Sequence, residues 1–163
     1  MLGAVLVSSS ILAWQSSHEQ ERIVQANFDT IGVLRAATGV KLAALNAMRG
    51  ERGFLLTEEA AHLEPYLQGR KNLARRLDDL AALQQDNTHA VHNLRIAAAE
   101  YLAMLDKAIT LTQRGQRDKA IDLVRQNGTT NDLASIDKLA DAIIEKERQS
   151  VQLINERAAR LNK

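Results

Sequence analysis

Arginine recurs in this chain at positions where an amphipathic helix would carry leucine or alanine. Stepping by three and four through residues 24–56 gives Val24, Phe28, Ile31, Arg35, Thr38, Leu42, Leu45, Arg49, Arg52 and Leu56. That is a heptad-like seam, widened by Leu34, Met48 and Leu55. A second stripe, Leu63, Tyr66, Arg70, Leu73, Leu77 and Leu80, is interrupted by Arg70. A third, Leu133, Ile136, Ala140, Ile143, Glu147, Ser150, Ile154 and Leu161, is interrupted by Glu147. A charge on a buried face needs a partner, because desolvation of a lone ion costs several kcal/mol. Guanidinium forks suit carboxylates, so two roles are open to these side chains. They form ion pairs across the core, or Arg49, Arg52 and Arg70 join Tyr66 and the turn at 127–131, including Thr129 and Asn131, to line an anion pocket.

Other chemistry is poorly supplied. The chain has no cysteine, which excludes disulfides, thiolate metal sites and cysteine nucleophiles and suits an oxidising compartment. His18, His62, His89 and His92 include no HExxH spacing. His89 and His92 share a helix face, but they lie at a helix start beside a polar turn and read as solvated. Glu58 with Glu59, and Asp78 with Asp79, read as surface acids. No glycine-rich phosphate loop follows a strand. No catalytic residue, metal site or cofactor is expected. The net charge of +1, without a basic patch interleaved with aromatics, argues against nucleic acid.

The elements that must hold these residues are helices. Aromatic residues make up 3% of the 163, and Pro65 is the single proline. Alanine, leucine, glutamate, lysine, arginine and glutamine dominate, which favours an all-α protein with one core. Residues 1–17 carry no charged side chain, and 1–14 are mostly apolar. They read as the C-terminal part of a transmembrane helix that begins upstream, with Trp14 at the lipid–water interface. Residues 18–163 form the domain beyond it.

From Glu19 to Leu56 the pattern is one helix, on the order of 55 Å long. Gly32, Gly39, Gly50 and Gly53 weaken it and allow another helix to approach closely. Thr57, Glu58 and Glu59 read as a helix start, with regular structure from Glu64 or Pro65. Gln85, Asp86 and Asn87 form a polar turn, and Thr88 caps a third helix with the stripe Val91, Leu94, Ala98, Tyr101, Leu105 and Ala108. Gly115 ends it. A short helix over 118–126 closes at Asn127 and Gly128, and Thr129 with Asp132 caps the last helix.

Short connections make neighbours antiparallel. The expected architecture is an up-down-up-down four-helix bundle with long first and last helices and a short extra helix before the last. Aligning the ends of the long pair sets Arg35 at the height of Glu147, Arg49 at that of Asp132 and Arg52 at that of Thr129. The expected ion pairs are Arg49 or Arg52 with an acid of the last helix, foremost Asp132, and Arg35 with Glu147.

Arg52, Gly53, Phe54, Leu55, Leu56 and Thr57, followed by Leu63, Glu64, Pro65 and Tyr66, resemble the signature of the type-three CHASE domain. This is the cyclase/histidine-kinase-associated sensory extracellular family. The resemblance implies the extracytoplasmic sensory domain of a bacterial receptor: a histidine kinase, a diguanylate cyclase or a chemoreceptor. It implies an inner-membrane protein with this domain in the periplasm or outside the cell. It further implies a homodimer, with the long first helix as its face, that answers an unknown small-molecule or protein stimulus by helix movement. The alternative is a chemoreceptor-type four-helix domain that binds a small organic anion directly. In either case Phe54, Leu55 and Leu56 are expected to clasp Leu63 and Tyr66, with Gly53 permitting the approach.

Overall fold

The computed structural model describes the backbone of residues 2–84, 87–127 and 129–161, and side chains within 28–160 apart from 85–86, 127–131 and 158. Five helices follow in order: α1 Leu2–Thr57, α2 Glu64–Leu83, α3 Thr88–Gln113, α4 Arg117–Asn127 and α5 Thr129–Leu161, with a 3-10 turn at Ala60–Leu63. The four longer helices form an up-down-up-down bundle. The side chains of residues 1–27, including the stretch assigned to the anchor, lie outside the described set.

Local chemistry explains the boundaries. Gly115 takes φ 71°, and the Gly115 and Gln116 amides return to the Thr112 and Leu111 carbonyls, closing α3. Pro65 stands in the first turn of α2, where its missing N–H removes no bond. Thr57 departs from expectation. Instead of opening a helix it closes α1: its hydroxyl donates to the Gly53 carbonyl at 2.9 Å and accepts the Glu59 amide at 3.2 Å. Glu58 then turns the chain in the left-handed region at φ 59°, with its amide on the Phe54 carbonyl.

The stripe on α3 is buried as the spacing predicts, from Val91 through Leu94, Ala98, Tyr101 and Leu105 to Ala108. Tyr101 donates its hydroxyl to the Ala44 carbonyl at 3.2 Å, so this large buried ring is satisfied across helices. The long helices run antiparallel in the expected register. Thr30 donates to Glu147 at 2.9 Å, and Lys41 pairs with Asp141 at 2.8 Å.

The azimuth of α1 is the main correction. Val33, Ala36, Ala37, Val40, Ala43, Ala44, Ala47 and Phe54 face the core, whereas Phe28, Ile31, Leu42 and Leu56 are 54–71% exposed. Arg35, Arg49 and Arg52 are exposed beside them. The bulky seam is the outer face of α1, and the core is built on alanine. The reason is the closeness of α2. A Cβ on Gly50 would fall 2.2 Å from the Tyr66 backbone nitrogen, and one on Gly69 2.5 Å from that of Ala47. Helices this close leave no room for leucine between them. The stretch Phe28–Thr57 is apolar enough to span a membrane by composition. Its inner residues Ala37, Val40, Ala44 and Ala47 are nevertheless wholly buried in the bundle, which identifies it as a core helix.

Candidate functional site

The turn that joins α1 to α2 gathers most of the singled-out residues. Phe54, Leu55 and Tyr66 are all buried in the core, and partly buried Leu63 packs against that core. Leu56 is 71% exposed and lies outside this clasp. Gly53 is not the tight point, since a Cβ there would meet the His62 Cβ at 3.3 Å. Arg117, at the start of α4, holds the turn from the other side. Its Nε donates to the Leu55 carbonyl at 2.7 Å and its Nη2 to the Leu56 carbonyl at 3.1 Å. These carbonyls belong to the last turn of α1, where helix acceptors lack intrahelical partners. A cation is favoured there by the helix dipole.

Tyr66 and Arg70 belong to a closed cluster. The Tyr66 hydroxyl donates to Asp106 Oδ1 on α3. Arg70 Nη1 donates to both Asp106 oxygens at 3.0 and 3.1 Å and to the Tyr66 oxygen at 3.2 Å. Burial, and then the bond to Asp106, push the Tyr66 phenol up to about 12. Asp106 was not singled out in the sequence; its pairing follows only from α2 lying antiparallel to α3. Because the ion pair is half exposed, its electrostatic part is small. Tyr66→Phe should lower stability by about 1 kcal/mol in urea unfolding, through loss of one hydrogen bond to a charged acceptor. No change in the urea midpoint would mean that this bond contributes nothing.

Arg35 and Arg49 do not take the partners expected of them. Among the described residues no ion pair joins Arg49 to Asp132. Arg49 is exposed, and Asp132 is half-buried. Glu147 accepts from Thr30 and from Gln84, each at 2.9 Å, while Arg35 is exposed. Register placed these pairs at similar heights; the outward rotation of the Arg35 and Arg49 face separates them. The Thr129 and Asn131 side chains lie outside the described set. Arg49 on the outer face and Arg70 on Asp106 are not brought to one pocket. A cleft of about 520 Å³ does exist, but near the α2–α3 turn. Leu83, Gln84, Asn87, Lys146, Glu147 and Ile154 line it.

One further residue escaped the sequence reading. Glu51 is fully buried on the inner face of α1, and among the described residues neither carboxylate oxygen has a hydrogen-bond partner. Burial pushes its carboxyl up to about 7, against the opposing charge of Arg52. A lone acid at helical spacing among alanines was the available signal.

The two long helices lie antiparallel and in direct contact, the shorter α2–α3 hairpin packs beside them, and Arg117 of α4 binds the end of α1. The chain belongs to the CHASE3 domain family, whose profile matches residues 25–157. It is similar to the crystal structure of the Rhodopseudomonas palustris histidine kinase HK9 sensor domain, at 26% identity and a TM-score of 0.69. That match covers 74% of this chain and 97% of the other. No curated protein matches it. The domain is therefore sensory rather than catalytic, of the kind found outside the membrane in receptors.

Proposed function

We propose that this domain senses a stimulus outside the cytoplasmic membrane and transmits it by relative movement of α1 and α5. In this reading residues 1–17 end a transmembrane helix and 18–163 form the sensor of a histidine kinase, a cyclase or a chemoreceptor. The observation that carries it is the Arg117 staple. Arg117 grips the last carbonyls of α1, and α4 leads into α5. A shift of the α1–α2 turn thereby reaches both long helices, which packed elements with discrete arrangements can relay. The likeness to a histidine kinase sensor domain supports the same reading.

The test joins the chain to a histidine kinase output module and reads autophosphorylation. Arg117→Met keeps the stem and removes the donors. It should change kinase output severalfold while the domain still melts within a few degrees of wild type. Unchanged output in a folded Arg117→Met variant would refute transmission through the staple.

The same reading includes a homodimer. The apolar outer stripe of α1, with Phe28, Ile31, Leu42 and Leu56 all more than half exposed, supports α1 as the shared face.

A further inference from the structure

The outer stripe of α1 has a strict heptad spacing. Phe28, Arg35, Leu42, Arg49 and Leu56 occupy position a, and Ile31, Thr38, Leu45 and Arg52 occupy position d. A period of 3.5 residues is the spacing of a seam between coiled helices. The alanine core behind it belongs to the closer packing with α2. The stripe from Phe28 to Leu56 is about 42 Å long. If about 10 Å wide, it offers roughly 400 Å² per copy, below the roughly 800 Å² of a standard stable interface. Pairing two such faces is therefore marginal and sensitive to charge.

The charge on this face has one sign. Between residues 28 and 56 the a, d, e and g positions hold no acid; Asp29 and Glu51 fall at b and c. Position a residues of two parallel helices meet across the two-fold axis, so Arg49 would face its own copy between the Leu42 and Leu56 layers. Among the described residues no acid pairs with Arg49. Arg35 differs, because it shares a groove with Asp79.

We infer that the occupant of this face is a second, parallel copy of the chain, and that a compact oxyanion of charge −2 or more, held between the two Arg49 side chains, closes the dimer. The inference rests on the homodimer reading given above. It places an anion at the seam instead of within one bundle. Guanidinium forks approaching from both sides fit a small polycarboxylate or inorganic phosphate. Binding of the anion and closure of the seam are then linked, each raising the affinity of the other.

The absence of cysteine gives a direct test. Leu42→Cys in the full chain, in detergent micelles, reports pairing of the seam as a disulfide between copies. Its rate under copper–phenanthroline oxidation is compared in chloride, citrate and phosphate at equal ionic strength, so that general screening is held constant. Citrate or phosphate should raise the rate about tenfold, and the better of the two identifies a polycarboxylate or a phosphate as the ligand class. Leu42→Cys with Arg49→Gln should crosslink rapidly in chloride and respond to neither anion. Equal rates in all three salts, or a full anion response in the Arg49→Gln background, would overturn the anion site while leaving the dimer. Crosslinking no faster than that of Glu100→Cys, an exposed position on α3, would overturn the dimer face and the site together.

Discussion

Raising the pH from about 4.5 to about 7 should lower the stability of this domain by up to about 3 kcal/mol, through Glu51 alone. The carboxyl is fully buried and among the described residues both of its oxygens lack hydrogen-bond partners, so the charged form is disfavoured in the folded state. Its folded value lies near 7, against an ordinary value of 4.5. Between those values the folded chain holds a proton that the unfolded chain has released, so stability falls as pH rises. Below the window both states are protonated, and above it both are ionised, so the dependence flattens. Tyr66 and Tyr101 are raised well above the window and do not contribute to it. From α3, Tyr101 faces Glu51; Arg52 acts on it along α1, and Asp132 and Asp137 of α5 act on Tyr101.

Glu51→Met replaces the carboxyl with an apolar chain of similar volume. It should stabilise the domain by about 1–4 kcal/mol above neutral pH and have little effect near pH 4.5. Urea unfolding of both proteins across this range checks the result. Parallel pH profiles for wild type and Glu51→Met would show that Glu51 does not carry the dependence.

Gly50→Ala and Gly69→Ala should each destabilise the domain by about 2 kcal/mol or more, although alanine is the better helix former. Propensity alone favours alanine by about 1 kcal/mol. Against this, a Cβ at Gly50 meets the Tyr66 backbone at 2.2 Å, and one at Gly69 meets the backbone of Ala47 and Ala43 at 2.5 and 2.7 Å. Backbone cannot rotate aside, so α1 and α2 must separate, and overpacking of this kind typically costs about 1–3 kcal/mol. Gly53→Ala provides the contrast. Its new Cβ meets a single side chain at 3.3 Å, so propensity should prevail and stability should hold or rise by up to about 1 kcal/mol. Thermal melts of the three variants test the ordering. A Gly50→Ala protein as stable as Gly53→Ala would contradict the close crossing.

The family motif and the helix layout were legible in the amino-acid sequence because their causes are local. Pro65 starts α2, Gly115 stops α3, and six residues spaced by three and four define the buried stripe of α3. Chain connectivity also set the heights of α1 against α5, seen in the contacts of Thr30 with Glu147 and Lys41 with Asp141. Height along a helix follows from counting residues, at a rise common to all helices.

Rotation about the helix axis does not follow from counting when both faces are apolar. Between Phe28 and Gly50, α1 exposes phenylalanine, isoleucine and leucine (Phe28, Ile31, Leu42) and buries alanine and valine (Val33, Ala36, Ala37, Val40, Ala43, Ala44, Ala47). Transfer energy favours burying the larger set, but the glycines of α1 and α2 bring the two backbones too near for it. Packing geometry therefore chose alanine for the core and left the larger side chains outside. The same rotation carried Arg35 and Arg49 outward and Glu51 inward. The partners of Tyr66, Arg70 and the end of α1 were likewise decided in three dimensions. Asp106 and Arg117 are distant in the chain, and only the folded arrangement of α2, α3 and α4 brings their side chains within bonding distance.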